Sequence, residues 1–317
     1  LPGDQTWTVP FDSPRMLSID LQVNGYAGVD FNADRLNGDQ LHAACEALRR
    51  DGTDCALATV ITAEPSVMCQ RIARLVGLRA EDRLIADVLV GIHVEGPFLS
   101  SQPGYIGAHP AEHAQAASPS VAERLLEAGD GLVRLLTLAP ECDPRADVTD
   151  RLVRKGVRVA AGHTNASLEQ LRQSIDGGLS MFTHLGNGCP AVLPRHDNIV
   201  QRVLSLREHL WISFIADGHH IPWFALANYL RTAGLERCII VSDAMAAAGL
   251  GPGRYSLGDR WVDVDASGAA WSENRTHLVG SACSLGAARM LLQDQLGLSA
   301  SQLDQLTNHQ PRAVLGI

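Results

Sequence analysis

Along the chain, apolar and β-branched runs alternate with stretches in which apolar residues return every three or four positions. The first pattern predicts buried strands and the second amphipathic helices. Strands are predicted near residues 17–23, 55–61, 85–93, 133–138, 157–161, 180–183, 211–216 and 238–242. Between the first two, Leu41, Ala44, Cys45 and Leu48 fall at i, i+3, i+4 and i+7, so residues 38–50 form a helix with one apolar stripe, which Gly52 stops. Similar stripes run through 121–128, 147–155, 168–175 and 223–232, and Gly129, Gly156, Gly177 and Gly234 close them before the next strand. Eight strand–helix units predict an α/β fold, a (β/α)8 TIM barrel filling residues 1–317 as one catalytic domain.

Two segments break the repeat. Residues 251–277 hold short β-like pieces at 255–257 and 261–264, set off by Gly258 and Gly268, which reads as a β excursion before a final helix at 284–296. Residues 99–119, after the third strand, form a long loop rich in Gly, Pro, Ser and Ala. On the C-terminal side of a barrel strand such a loop is expected to cover or bind something.

Composition narrows the chemistry. A net charge of -9 excludes a phosphate-backbone-binding surface and with it a nucleic-acid partner. Of the 26 basic residues, 25 are arginine and Lys155 is the sole lysine. P-loop and Schiff-base chemistry both need a lysine at the reacting centre. Lys155 precedes the fifth strand, the end of a barrel away from its chemistry, so both are disfavoured. The seven cysteines form no C-x-x-C pair and no repeated spacing. With no signal-peptide pattern and no apolar run near the roughly 18 residues a bilayer span needs, the expectation is a cytoplasmic protein away from membranes.

The polar residues at the predicted strand ends are Gln22 and Asn24, His93 and Glu95, His163, His184, Asp217 with His219, and Asp243. Glu95, His163 and His184 make the best metal set: one carboxylate and two imidazoles leave a coordination position open to water. Asp243 follows an apolar strand and can take a proton from water and return it to a leaving nitrogen, or simply cap the next turn. His219 is a candidate substrate contact and His220 a packing or supporting residue. His93, two positions before Glu95 on the same strand face, is a candidate for orienting a ligand.

These motifs resemble the amidohydrolase superfamily, and within it the N-acetylglucosamine-6-phosphate deacetylases. The stretches that carry the likeness are Ile19-Asp20-Leu21-Gln22-Val23-Asn24-Gly25, His93-Val94-Glu95-Gly96-Pro97-Phe98-Leu99, Gly107-Ala108-His109-Pro110 and Gly162-His163-Thr164-Asn165-Ala166. They continue with Thr183-His184-Leu185, Ala216-Asp217-Gly218-His219-His220, Ser242-Asp243-Ala244-Met245 and Leu278-Val279-Gly280-Ser281, in family order over nearly the whole chain. The resemblance implies Glu95, His163 and His184 as metal ligands, Asp243 as acid/base, and His109 and His219 as substrate contacts. It further implies that Asn187 and Gly188 contact phosphate and that Arg195 reaches it across a homodimer interface.

Two-metal relatives carry H-x-H on the first strand and a lysine on the fourth. Here the first strand offers Gln22-Val23-Asn24 and the fourth runs into Thr137-Leu138-Ala139-Pro140. One divalent ion is therefore expected, zinc by its nitrogen and oxygen donors, with iron or another divalent ion as alternatives. Two departures fall where the family reads phosphate: Gly186-Asn187-Gly188-Cys189, and Arg195-His196-Asp197-Asn198 in place of Arg-Glu-Pro-Gly. The family's small β-sandwich is expected to be missing or vestigial, since about 16 residues precede the first strand. The leading expectation is removal of the acetyl group from an N-acetylated amino sugar, with N-acetylglucosamine 6-phosphate first. Alternatives are deacylation of an unphosphorylated N-acetyl sugar or an N-acyl amino acid, and a non-catalytic sugar-binding barrel.

Overall fold

In the computed structural model, which describes residues 18–257, 260–275 and 277–317, eight parallel strands follow one another around a nearly closed sheet. They are β1 (Ile19–Val23), β2 (Cys55–Ile61), β3 (Leu89–Glu95), β4 (Val133–Leu138), β5 (Arg158–Ala161), β6 (Met181–Phe182), β7 (Trp211–Ile215) and β8 (Cys238–Val241). Each pairs with its neighbour in sequence. The covering helices include α1 (Gly38–Arg50), α2 (Pro65–Glu81), α3 (Arg83–Val88), α4 (Pro119–Gly129), α5 (Asp147–Arg154), α6 (Leu168–Asp176), α7 (Ile199–Ser205), α8 (Trp223–Ala233) and α9 (Leu285–Leu296). The predicted barrel and its eight strands are borne out. Residues 1–17, on which the expectation about the β-sandwich rests, lie outside the described residues.

Local chemistry explains the elements. Asn37 and Gln40 form a reciprocal capping box at the start of α1, and the predicted stripe of Leu41, Ala44, Cys45 and Leu48 is buried. The third strand begins later than its apolar run suggests. Asp82 accepts the Ile85 N–H and starts α3, so Ile85 to Val88 are helical and β3 begins at Leu89. A short apolar run does not distinguish a buried helical turn from a strand, and the cap decides. The excursion has three antiparallel strands where two were predicted: β9 (Gly253–Leu257), β10 (Arg260–Val264) and β11 (Ala270–Ser272). Gly258 lies outside the described residues, while Gly268 sits in the second turn with φ +91°.

Two cores hold the barrel. One lies between sheet and helices, and the other fills the barrel's interior with Ile19, Leu21, Leu57, Leu135, Met181 and Ile239, closed by Val314 from the terminal helix α10 (Gln310–Leu315). Arg158 and Arg134, on β5 and β4, donate to the Val314 and Leu315 carbonyls, where a helix C-terminus favours cations. Lys155 ends α5 on the outer surface, 3.8 Å from the Glu123 carboxylate, away from the strand-end residues as expected. No helix among the described residues is long and apolar enough to cross a membrane.

Between β8 and β1 the sheet closes through a seam rather than a regular ladder. The buried Asp20 carboxyl accepts the Ser242 N–H at 3.2 Å on each oxygen and the Gln22 N–H at 3.2 Å. Ser242 Oγ donates to the Gln22 carbonyl, the Asn24 N–H donates to the Ala244 carbonyl at 2.7 Å, and Val23 bridges Ala244. Burial raises the Asp20 pKa from 3.8 to about 7 against the pull of these bonds. Between those values the folded chain holds a proton that the unfolded chain has lost, so the stability Asp20 contributes is full below about pH 4 and falls as pH rises to about 7. Asp20→Asn cannot lose that proton. In thermal denaturation its Tm relative to wild type is expected to climb between these pH values and stay level above them; a pH-independent difference rules out the proton.

Candidate active site

Glu95 is the last residue of β3, while His163, His184 and Asp243 each stand two residues beyond the ends of β5, β6 and β8. Those three residues have positive φ, at 51°, 35° and 50°. For a residue with a Cβ the left-handed conformation costs roughly 1–2 kcal/mol, and here the same departure recurs where strands give way to loops over one cavity. All four side chains are buried or nearly so and line a cavity of about 340 Å³.

Glu95 Oε1 is the meeting point. His184 Nε2 lies 3.1 Å away, His163 Nε2 3.2 Å, and Gln22 Nε2 donates to it at 3.1 Å. His109 Nε2 is 3.7 Å from the other oxygen and 3.3 Å from His163 Nε2. Burial opposes charge on Glu95, but the His163 and His184 side chains beside it outweigh that and hold the carboxyl well below its usual range. Burial drives His109 down to about 3 and His93 down to about 4, so both rings are neutral near pH 7. The pKa of His184 is raised, because the Glu95 carboxylate outweighs burial.

The donor set fits a divalent cation. His163 Nδ1 lies 2.9 Å from the Tyr105 carbonyl, which only accepts, so Nδ1 carries the hydrogen and the lone pair of the neutral ring sits on Nε2, facing the Glu95 carboxylate. Two acceptors facing each other need a cation between them. Donor atoms of Glu95, His163 and His184 all lie within 4.8 Å of one another. Gly188 permits this crowding: with φ +61°, a Cβ there would stand 3.0 Å from His163 Nδ1 and 3.3 Å from His184 Cε1.

Around this set the predicted residues separate. His109 arrives on the loop after β3, which folds inward with Tyr105 and Ile106 buried. Asn187 and Gly188 line the cavity, whereas Arg195 is exposed on the loop between β6 and α7. That loop is held by Arg202, which donates to Asp197 and to the Asn165 and Ala166 carbonyls just beyond His163. His93 bonds Thr137 Oγ1 at 2.8 Å, and Thr137 bonds Thr183, so His93 supports the floor and does not orient Glu95 directly. His219 turns to the Ser267 carbonyl on the excursion at 2.9 Å and is absent from the cavity wall; His220 takes that place. Asp217, its pKa lowered by His220 despite burial, accepts from the backbone N–H groups of both histidines and lies 2.7 Å from His220 Nδ1.

Asn24, assigned no role above, donates from Nδ2 to Asp243 Oδ1 at 2.7 Å. It lies two residues after Gln22, and the i, i+2 alternation of a strand puts both amides on one side, each bonded to a different carboxyl. Burial and the Glu95 charge push Asp243 up to about 6; a cation on the Glu95 set opposes that rise.

No family model matches the chain. The N-acetylgalactosamine-6-phosphate deacetylase of Shewanella sp. (strain ANA-3) is 34% identical over 92% of this chain and 72% of its own length. The N-acetylglucosamine-6-phosphate deacetylase of Bos taurus is 31% identical over 94% of this chain and 73% of its own. A solved structure of a variant of the Mycobacterium smegmatis N-acetyl-D-glucosamine-6-phosphate deacetylase, in complex with N-acetyl-D-glucosamine-6-phosphate, matches with a TM-score of 0.83 at 30% identity, covering 95% of this chain and 77% of that one. The chain belongs to the N-acetylglucosamine-6-phosphate deacetylase family. The resemblance read from the strand-end motifs is thereby borne out, and the family's barrel carries them in this chain at the positions described.

Metal analysis tests the site without any assay of turnover. The purified chain is expected to hold one divalent ion, and Glu95→Ala or His163→Ala to lose it on dialysis. Gln22→Leu, which removes only the amide bonded to Glu95, is expected to weaken binding by roughly 10- to 100-fold in a chelator competition titration. Retention of the ion by Glu95→Ala at wild-type affinity excludes this donor set.

Proposed function

We propose that this chain is a metal-dependent deacetylase of an N-acetylated amino-sugar phosphate, converting N-acetylglucosamine 6-phosphate and water to glucosamine 6-phosphate and acetate. The observation that carries the reading is the convergence of Glu95, His163 and His184 with the partly buried carboxyl of Asp243 in one cavity. Glu95, His163 and His184 hold one divalent ion, zinc by its donors, which when bound supplies Lewis acidity toward the acetyl carbonyl and lowers the pKa of water. Asp243 accepts a proton from the attacking water and delivers one to the nitrogen as the carbon–nitrogen bond breaks, general base and then general acid. A carboxyl two residues beyond β8, lining the same cavity as the Glu95 set, is placed for both tasks.

His220, aimed by Asp217, takes the substrate-contacting role first read for His219, and the neutral His109 ring lies beside Glu95 where the acyl group must come. Asn187 and Gly188 offer backbone and amide groups to the sugar phosphate. Among the described residues no lysine or arginine lines the cavity, so we look for the phosphate's positive partner at the mouth. Arg195 is the candidate, acting within a homodimer; the exposed Val192 on its loop and Phe224 on α8, 87% and 75% accessible, are apolar surface such a contact would cover. We read the barrel and its excursion as one catalytic domain, and the seven free cysteines fit the reducing cytoplasm.

A second reading, an unphosphorylated N-acetyl sugar as substrate, draws on Asp197, a carboxylate in the altered stretch beside Arg195 that is already paired with Arg202. Acetate release from phosphorylated and free N-acetylglucosamine distinguishes the two, with a higher kcat/KM expected for the phosphorylated sugar. Asp243→Asn with its metal bound is expected to lose about a hundredfold or more in kcat. Near-wild-type turnover by that variant removes Asp243 from the chemistry.

A further inference from the structure

Asn24 is tied down on two sides: its backbone N–H bonds the Ala244 carbonyl and its side-chain N–H bonds Asp243 Oδ1, each at 2.7 Å. Its side-chain oxygen is unusual. Asn24 Oδ1 is shut off from solvent and has no hydrogen-bond partner among the described residues. The other orphaned buried atoms are ring nitrogens, a threonine hydroxyl and an amide nitrogen, all able to donate in some state; Asn24 Oδ1 can only accept. An oxygen left unpaired in this way carries the full cost of its lost hydration, and Asn24 lines the reaction cavity. An acceptor of this kind is satisfied by a donor that arrives with the ligand.

The donor follows from the chemistry of the Asp243 carboxyl, and this step rests on the function proposed above. Asn24 Nδ2 bonds Asp243 Oδ1 and both residues line the same cavity, so a group that binds at Asp243 comes up beside this amide. The group that must approach Asp243 is the nitrogen of the scissile amide, which bears one N–H. We infer that Asn24 is a catalytic residue with two tasks. Its N–H occupies Asp243 Oδ1 and so leaves Oδ2 to carry the proton. Its Oδ1 accepts a hydrogen bond from the scissile N–H and then from the departing amine. As the acyl carbon–nitrogen bond breaks, its electron pair stays on nitrogen and the proton passes there from Asp243 Oδ2. The amine leaves with two hydrogens, one of them facing Asn24, and Asn24 itself is unchanged.

An oxygen ester lacks the N–H and needs less protonation of its leaving group, so it separates this role from a structural one. The test compares wild type, Asn24→Ala and Asn24→Ser on N-acetylglucosamine 6-phosphate and on glucose 6-phosphate acetylated at the 2-hydroxyl. Both variants keep the backbone bond across the seam, and a ratio of the two substrates within one preparation does not depend on how much of it is folded. The amide-to-ester ratio of kcat/KM is expected to fall about tenfold or more in each variant. A ratio equal to that of wild type overturns the inference while leaving the deacetylase reading standing. No acetate release by wild type from the amide overturns both.

Discussion

Asp20 accepts the Ser242 N–H across the gap between the first and last strands, and from that contact follows the geometry at the barrel's mouth. Gln22 and Asn24 follow Asp20 on one strand end; Ser242, Asp243 and Ala244 follow β8. Joining the ends brings the Gln22 amide to Glu95 and the Asn24 amide to Asp243, partners 73 and 219 residues apart. An apolar residue at position 20 would fill the same space but leave the N–H groups of Gln22 and Ser242 unpaired in a dry interior, a larger cost than burying one hydrogen-bonded carboxyl.

The site set on this seam is electrostatically lopsided. Two carboxyls, Glu95 and Asp243, stand among imidazoles, amides and apolar walls, with no lysine or arginine in the lining among the described residues. Burial keeps His93 and His109 neutral, so those two rings supply none of the missing positive charge. A divalent cation makes good that deficit, and the same deficit leaves nothing inside the cavity to neutralise a phosphate, which places that task on the loop bearing Arg195. The left-handed backbone at His163, His184 and Asp243 is the conformational cost of turning three side chains inward at the same height. The apolar layers beneath hold it.

Much of this was legible in the chain. Alternating strand and helix periods revealed eight units because each buries one continuous apolar run or stripe, and the polar residues ending those runs stand out against them. Glu95, His163, His184 and Asp243 were recognisable for that reason. His219 and His220 were harder. Adjacent residues in a turn share no periodicity that tells which one faces the cavity, and the choice falls to Asp217, which holds His220 by its ring. Asn24 carried a weak signal, an amide two residues after Gln22 at a strand end, but its role needs a partner 219 residues away.

By itself, then, the sequence determined the repeat, the barrel class and the set of groups able to do chemistry, because periodicity and residue type are local properties. Tertiary structure alone decided which groups meet: the seam that joins Asn24 to Asp243, the inward fold that brings His109 beside His163, and the excursion whose Ser267 carbonyl draws His219 out of the wall. Those contacts depend on closure and register, and hydrogen bonds between residues distant in the chain have no counterpart in any local pattern.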